Sequence, residues 1–264
     1  MSRCRLVALD VDGTLMSYDG VLSDDVREAV AAVRDAGVHV VLATGRGAHS
    51  AVPVARELGL TEGWVVCSNG AVTARLDGSP EGFVVDRSVT FDPGPALRTI
   101  AMELPDALIA VEDLGVGFKV SADFPTGELS GRVEVVPFEE LASTPATRVV
   151  IRAPEASPEE FHALVERVGL HEVEYAVGWS AWLDLTPGGV SKASALEEIR
   201  QHEGVEPFQT VAVGDGSNDV QMLRWAARGV AMGHATDTVR AAADEVTGTI
   251  EDDGAVAVLR SLLV

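Results

Sequence analysis

Short apolar runs recur along the chain, and several of them stop abruptly at a polar cluster. The first, Leu6-Val7-Ala8-Leu9, runs straight into Asp10-Val11-Asp12-Gly13-Thr14. Four to eight apolar residues bounded by turn signals fit a strand buried on both faces of a parallel sheet. Val38-His39-Val40-Val41-Leu42-Ala43 repeats the form and ends in Thr44-Gly45-Arg46. Trp64-Val65-Val66-Cys67 runs into Ser68-Asn69-Gly70. Gln209-Thr210-Val211-Ala212-Val213 runs into Gly214-Asp215-Gly216-Ser217-Asn218-Asp219. Between these strands the apolar period lengthens to that of a helix. Val26, Ala29, Val30 and Val33 predict a helix over about residues 24–36, capped by Ser23 and stopped at Gly37. Further helices are predicted over roughly 50–58, from Lys192 to His202, through Met222, Leu223 and Ala226, and over 255–263. Short strands at Gly229-Val230-Ala231-Met232 and Glu245-Val246-Thr247 complete the C-terminal part. Strand and helix in alternation predict an α/β fold built on a doubly wound parallel sheet, Rossmann-like in character.

The texture changes after Leu76. Asp77-Gly78-Ser79-Pro80 reads as a turn, and short alternating strands follow at Phe83-Val84-Val85, Gly117-Phe118-Lys119-Val120 and Val133-Glu134-Val135-Val136. Arg148-Val149-Val150-Ile151 and Val173-Glu174-Tyr175-Ala176-Val177 are two more. Two helical stretches interleave with them, the second opened by Ser157, Pro158 and Glu160. This predicts an inserted α+β unit over residues 79–185, with the core assembled from residues 1–78 and 186–264. The core pattern resumes at Thr186-Pro187-Gly188-Gly189-Val190-Ser191-Lys192. Neither an internal repeat nor a low-complexity tract interrupts the chain.

Composition narrows the function. The 264 residues are 47% hydrophobic, enough for a large core with or without an insertion. Twenty basic against forty-one acidic side chains leave a net charge of −21, which argues against nucleic acid and anionic membrane surfaces as partners. Cys4 and Cys67 form neither a disulfide framework nor a metal spacing, which suits a reducing cytoplasm. The basic start, Met1-Ser2-Arg3-Cys4-Arg5, leads into an apolar run broken at Asp10, too short for a signal peptide. No run approaches the roughly 18 apolar residues of a spanning helix. The expectation is a soluble cytoplasmic protein.

The polar clusters carry the chemistry. Asp10 and Asp12 are two residues apart on extended chain, so their side chains can point the same way, and Gly13 lets the backbone turn away from them. Carboxylates so close repel unless a proton or cation intervenes. A parallel sheet gathers the carboxyl ends of its strands at one edge, where ligands bind. Asp10/Asp12, Thr44 and Asp215/Asn218/Asp219 therefore share a crevice, which Lys192 can reach from a helix start. Oxygen donors without His or Cys suit Mg²⁺ rather than zinc. A hydroxyl and an ammonium beside such an ion suit a phosphoryl group. Each residue has a plainer role if taken alone: an Asp pair in a turn, Thr44 as a helix cap, Lys192 as a solvated helix lysine, Asn218-Asp219 as a helix start. Their joint occurrence at matching strand ends is what the plain roles do not explain. His39 reads as strand filling, Trp179 and Trp182 as packing in the second unit, and Glu251-Asp252-Asp253 as a solvated turn.

These residues carry a family likeness. The chain resembles the haloacid dehalogenase-like phosphatases, specifically the Cof-type subgroup with a large α/β cap inserted between its second and third motifs. The matching segments are Asp10-Val11-Asp12-Gly13-Thr14, Thr44-Gly45-Arg46, Ser68-Asn69-Gly70-Ala71, Val190-Ser191-Lys192 with Ala195-Leu196, Gly214 to Asp219 with Met222-Leu223, and Gly229-Val230-Ala231-Met232-Gly233. The resemblance implies a phosphatase acting on a small phosphorylated metabolite, a sugar phosphate foremost, through an aspartyl-phosphate. It implies Asp10 as nucleophile and Asp12 as general acid and base. It implies Mg²⁺ held by Asp10, the Asp12 carbonyl, Asp215 and Asp219, with Thr44, Gly45, Lys192 and Asn218 around the phosphoryl group. It also implies that residues 79–185 act as the cap that selects the substrate. Two departures stand out: Ala193-Ser194 where a glycine is frequent after the lysine, and His234 where the subgroup commonly has asparagine. Nucleotides and cofactor phosphates are equally open as substrates, and two alternatives to the phosphatase reading stay open at this point. One is a phosphomutase using the same two aspartates, and the other is a receiver-like protein that carries phospho-aspartate as a signal.

Overall fold

In the computed structural model, which describes residues 4–77, 79, 82–153, 173–177 and 182–263, the chain folds as two compact units. The first comprises Met1–Arg46, Ala51–Arg87 and Ser191–Val264, and the second Gly47–Ser50 and Ser88–Val190. The chain begins with β1 (Leu6–Leu9), α1 (Asp24–Asp35), β2 (His39–Ala43), α2 (Ala48–Glu57), β3 (Gly63–Cys67), β4 (Val72–Leu76) and β5 (Phe83–Ser88). Next come α3 (Gly94–Glu103), β6 (Leu108–Asp113), β7 (Gly117–Val120), β8 (Arg132–Val135), α4 (Phe138–Ser143), β9 (Val149–Arg152), β10 (Val173–Val177) and β11 (Trp182–Pro187). The chain then returns through α5 (Lys192–His202), β12 (Thr210–Gly214), α6 (Val220–Trp225), β13 (Arg228–Ala231), α7 (Asp237–Arg240), β14 (Glu245–Val246) and α8 (Gly254–Ser261).

The first unit is built on an eight-stranded sheet in the order β14-β13-β12-β1-β2-β3-β4-β5. From β14 to β3 all neighbours are parallel, and β4 runs antiparallel to β3. β1 lies inside this sheet and is buried along its whole length, as its unbroken apolar sequence requires. Pleating sends Leu6 and Ala8 to one face, where they join Val41, Ala43, Val66, Leu196, Ile199 and Met222 in one core. Val7, Leu9, Val40 and Leu42 turn to the other face and are equally buried. On that face α1 packs beside β2 and against α8. Helices therefore cover both faces, the doubly wound arrangement that the sequence pattern predicts. Helix α1 starts where expected: the Ser23 hydroxyl accepts from the Val26 amide at 3.1 Å, and Val26, Ala29, Val30 and Val33 are its buried stripe. Each such valine withdrawn from water stabilises the fold by roughly 1.5–3 kcal/mol.

The second unit is a six-stranded sheet in the order β10-β11-β9-β6-β7-β8, antiparallel except for the parallel pair β7–β8. Leu97 and Ile100 of α3 and Leu141 of α4 cover one face, packing on Ile109, Val111, Val149, Ile151, Leu183 and Leu185. Ala110, Phe118, Val120 and Val150 form a smaller cluster on the alternate pleat positions, and Trp182 packs against it. The predicted helix start at Ser157, Pro158 and Glu160 lies outside the described residues, as does Trp179.

Two segments fold differently from the sequence reading. Phe83-Val84-Val85, expected within the inserted unit, belongs to β5 at the edge of the first sheet, so that unit begins after Arg87 rather than at residue 79. An edge strand alternates between half-buried and exposed positions, as β5 does, and so resembles a strand of a two-layer α+β unit. Thr186 and Pro187, expected to reopen the core, still pair with β10 as the end of β11, and the first unit resumes only at Ser191.

Candidate active site

Backbone pairing brings the distant acidic segments together. The Asp10 amide donates to the Val213 carbonyl at 3.0 Å, which fixes the end of β1 beside the end of β12. Asp10, Asp215 and Asp219 are all buried, and each offers a carboxylate oxygen within 4.8 Å of the others. Lys192 completes the group: its Nζ donates to Asp10 Oδ1 and to Asp219 Oδ1, both at 2.6 Å, and its side chain is 0% exposed.

Local sequence explains how that lysine is held. Ser191 caps α5: its hydroxyl accepts from the Ser194 amide at 3.2 Å, and the Ser194 hydroxyl accepts from the Ser191 amide at 3.0 Å. Ser194 thus closes a capping box around Lys192. Gly70, at φ +102°, backs onto this helix start, and a Cβ there would collide with the Ser191 carbonyl. Gly13 does the same for Asp215. Its φ is +83°, and a side chain would run into the Asp215 carboxylate and the Tyr18 hydroxyl.

Asp219 and Asp215 accept further hydrogen bonds. Asp219 Oδ2 accepts from the amides of Asp215 (3.0 Å) and Gly216 (2.9 Å). Asp215 accepts from the Thr14 hydroxyl at 2.9 Å and the Tyr18 hydroxyl at 2.6 Å. Burial pushes Asp10 well above the usual carboxylate range, with the charge of Asp219 adding to it, Lys192 opposing it and Asp215 adding again. Burial raises Asp219 likewise, against the pull of Lys192. Burial alone would push Lys192 down, but the charges of Asp10 and Asp219 outweigh it and hold the ammonium protonated. Tyr18 is pushed up by burial and then by its bond to Asp215, so its hydroxyl keeps the donated proton.

Three carboxylates around one ammonium leave two negative charges in excess, in a setting that penalises each of them. One divalent cation cancels that excess. The donors are all oxygens, with no sulfur or ring nitrogen in the acidic group, so the group fits a hard ion.

The other predicted site residues lie in two adjoining contacts. Asp12 accepts a fork from Arg46, Nε to Oδ2 at 2.8 Å and Nη2 to Oδ1 at 2.5 Å, which fixes the carboxylate in one orientation. The Thr44 side chain is buried, and its hydroxyl accepts from the Arg46 amide at 3.1 Å. It is no cap of α2, which begins at Ala48. Gly45 sits against Asn69 and Asn218: a Cβ there would stand 3.2 Å from Asn69 Oδ1 and 3.7 Å from Asn218 Nδ2. Asn218 in turn donates to Asn69 Oδ1 at 2.9 Å. The sequence reading assigned no role to Arg46, Thr14, Tyr18 or Asn69. Three of them stand in the quoted motifs and were within reach, whereas Tyr18 is a lone aromatic in a polar turn and gives no signal.

Comparison with known proteins identifies the family. The profile of the haloacid dehalogenase-like hydrolases matches residues 7–90 and 117–259. The chain belongs to that family, in its Cof-type subgroup, and is a phosphoric monoester hydrolase. It is 29% identical to the pyridoxal phosphate phosphatase YbhA of Escherichia coli (strain K12), over 98% of this chain and 99% of that protein. It is 27% identical to the 5-amino-6-(5-phospho-D-ribitylamino)uracil phosphatase YitU of Bacillus subtilis (strain 168), over 97% of this chain and 96% of that one. Among solved structures it is similar to the phosphatase BT1666 of Bacteroides thetaiotaomicron, with a TM-score of 0.77, 28% identity, and coverage of 98% and 95% of the two chains. Membership removes the receiver-like alternative, and the relatives named for an activity are phosphatases rather than mutases. Phosphatases of this superfamily are metal-dependent in general. Among the described residues, no helix is long and apolar enough to cross a membrane.

Proposed function

We propose that the chain is a Mg²⁺-dependent phosphatase that hydrolyses a small phosphorylated metabolite, a sugar phosphate foremost, through an aspartyl-phosphate at Asp10. The observation that carries this reading is the buried group of Asp10, Asp215 and Asp219 with Lys192 bridging two of its members. Asp10, Asp215 and Asp219, with the Asp12 carbonyl, would hold Mg²⁺, which when bound offsets charge on the phosphoryl oxygens. Lys192, Thr44, Gly45 and Asn218 would surround the same oxygens, held in advance by the contacts described above.

A carboxylate oxygen of Asp10 attacks phosphorus as the bond to the leaving oxygen breaks, and the Asp12 carboxyl gives its proton to that oxygen. The Asp12 carboxylate then takes a proton from water as the water oxygen attacks phosphorus. The Asp10–phosphorus bond breaks, returning the Asp10 carboxylate and inorganic phosphate. Arg46 orients Asp12 for both transfers. The second unit acts as the cap that selects the leaving group.

The test is a panel of phosphate esters assayed for phosphate release with Mg²⁺ and with a chelator. The panel spans sugar phosphates, nucleotides and cofactor phosphates, and includes pyridoxal phosphate and 5-amino-6-(5-phospho-D-ribitylamino)uracil, for which two relatives are named. The expected result is release that needs the cation and is fastest on a sugar phosphate. Equal release in excess chelator would remove the cation from the reading, and preference for a nucleotide would remove the sugar.

A further inference from the structure

Among the described residues, one buried side-chain polar atom lacks a hydrogen-bond partner: Nε2 of His234. It faces Asp215 Oδ2 at 3.6 Å. The other ring nitrogen is engaged, because Nδ1 accepts from the Ile250 amide at 3.3 Å. A ring nitrogen that accepts a hydrogen bond carries no proton, so in the neutral imidazole the proton sits on Nε2. Nε2 is then a donor aimed at a carboxylate, and in this tautomer it has no lone pair to offer a metal.

The backbone sets where the ring stands. Met232 donates to the Gly214 carbonyl at 3.0 Å, and Gly233 donates to the Gly248 carbonyl at 2.9 Å. A Cβ at Gly233 would press on the Thr247 carbonyl at 2.8 Å, so this stretch has little room to shift. The histidine is thus fixed between the end of β12, which carries Asp215, and residues 247–250. A separation of 3.6 Å is slightly beyond a hydrogen bond, and a small side-chain rotation closes it. Asp215 Oδ2 already accepts from Tyr18, and a carboxylate oxygen has room for a second donor.

We infer that His234 is a positioning residue for the cation site: its Nε2–H orients the Asp215 carboxylate, together with Thr14 and Tyr18, and thereby raises the affinity for Mg²⁺. This rests on the reading of Asp215 as a cation ligand. Partners of this outer kind are worth about 10–100-fold in metal affinity. A purely structural histidine would do something else. It would only accept the Ile250 amide and hold the neighbouring turn.

Two substitutions separate these roles. An asparagine amide ends about where Nδ1 stands, so H234N keeps an acceptor for Ile250 but does not reach Asp215. A glutamine amide ends about where Nε2 stands, so H234Q keeps the donor. Mg²⁺ binding to the whole protein is measured by titration calorimetry without substrate, on the wild type, H234N, H234Q and D215N, alongside thermal unfolding without Mg²⁺. The expected result is that H234N unfolds like the wild type yet binds Mg²⁺ about 10-fold more weakly, while H234Q binds within about threefold of the wild type. H234N binding as tightly as the wild type, or H234Q as weak as H234N, overturns the inference. Absence of Mg²⁺ binding by the wild type, or undiminished binding by D215N, overturns the underlying cation reading instead.

Discussion

At the end of β1, one buried ammonium faces Asp10 and Asp219 with Asp215 close by, whereas in the second unit the buried Arg148 is matched by Asp184 at 2.7 Å. The second unit repeats that balance. Arg152 pairs with Glu128 at 3.2 Å. Buried pairs that cancel are structural, since each charge is offset by its own partner. A buried set that does not cancel needs something from outside, either a proton or a cation. The same chemical groups therefore serve packing in one sheet and, on the function proposed above, ligand binding in the other, and the sum of charge tells them apart.

The largest effect that tests this contrast is expected at Lys192. K192M leaves three buried carboxylates without their ammonium, and urea unfolding should show a loss of about 3–5 kcal/mol together with loss of turnover. Next comes a reversal of sign between the units. D184N removes the carboxylate to which Arg148 Nε donates and is expected to destabilise by about 2–3 kcal/mol, with the double variant R148M/D184L returning close to wild type. D10N removes one of the excess charges, and without Mg²⁺ it is expected to unfold at or above the wild-type urea midpoint. A loss on D10N as large as that on D184N would erase the distinction between the two sheets.

The smallest effect concerns an ion pair open to water. Glu197 is lowered to about 2, first by its bond to Arg200 and with help from Trp225 and Gln201. Its folded-state value lies below the unfolded one, so its stabilisation is present above about pH 4.5 and fades as pH falls toward about 2. The carboxylate is about a third exposed, and solvent screening reduces the effect. E197Q is expected to lose about 0.5–1 kcal/mol in urea unfolding at pH 7, and less at pH 3.

The sheet around β1 was legible because a strand buried on both faces needs an unbroken apolar run, and its carboxyl end announces itself as an abrupt polar stop. Asp10, Asp215 and Asp219 stood out for that reason, and Lys192 as a helix start able to reach the same edge. What stayed hidden depends on partners far along the chain. Leu108–Asp113 is a central strand of the second sheet, yet its apolar run of Leu108 to Val111 is short, and the sequence reading did not single it out. Phe83–Ser88 joins the first sheet by pairing at an edge, which its own alternation does not reveal. The fork from Arg46 to Asp12 and the tautomer of His234 arise from side-chain geometry that no spacing encodes.

The most direct test of the central claim is phosphate release by D10N against the wild type, on the best ester of the panel and at saturating Mg²⁺. If Asp10 is the nucleophile, the variant releases phosphate at least about 10⁴-fold more slowly while its thermal unfolding remains cooperative. Release by a folded D10N at the wild-type rate contradicts the assignment, and with it the reading of the buried acidic group as a phosphoryl-transfer site.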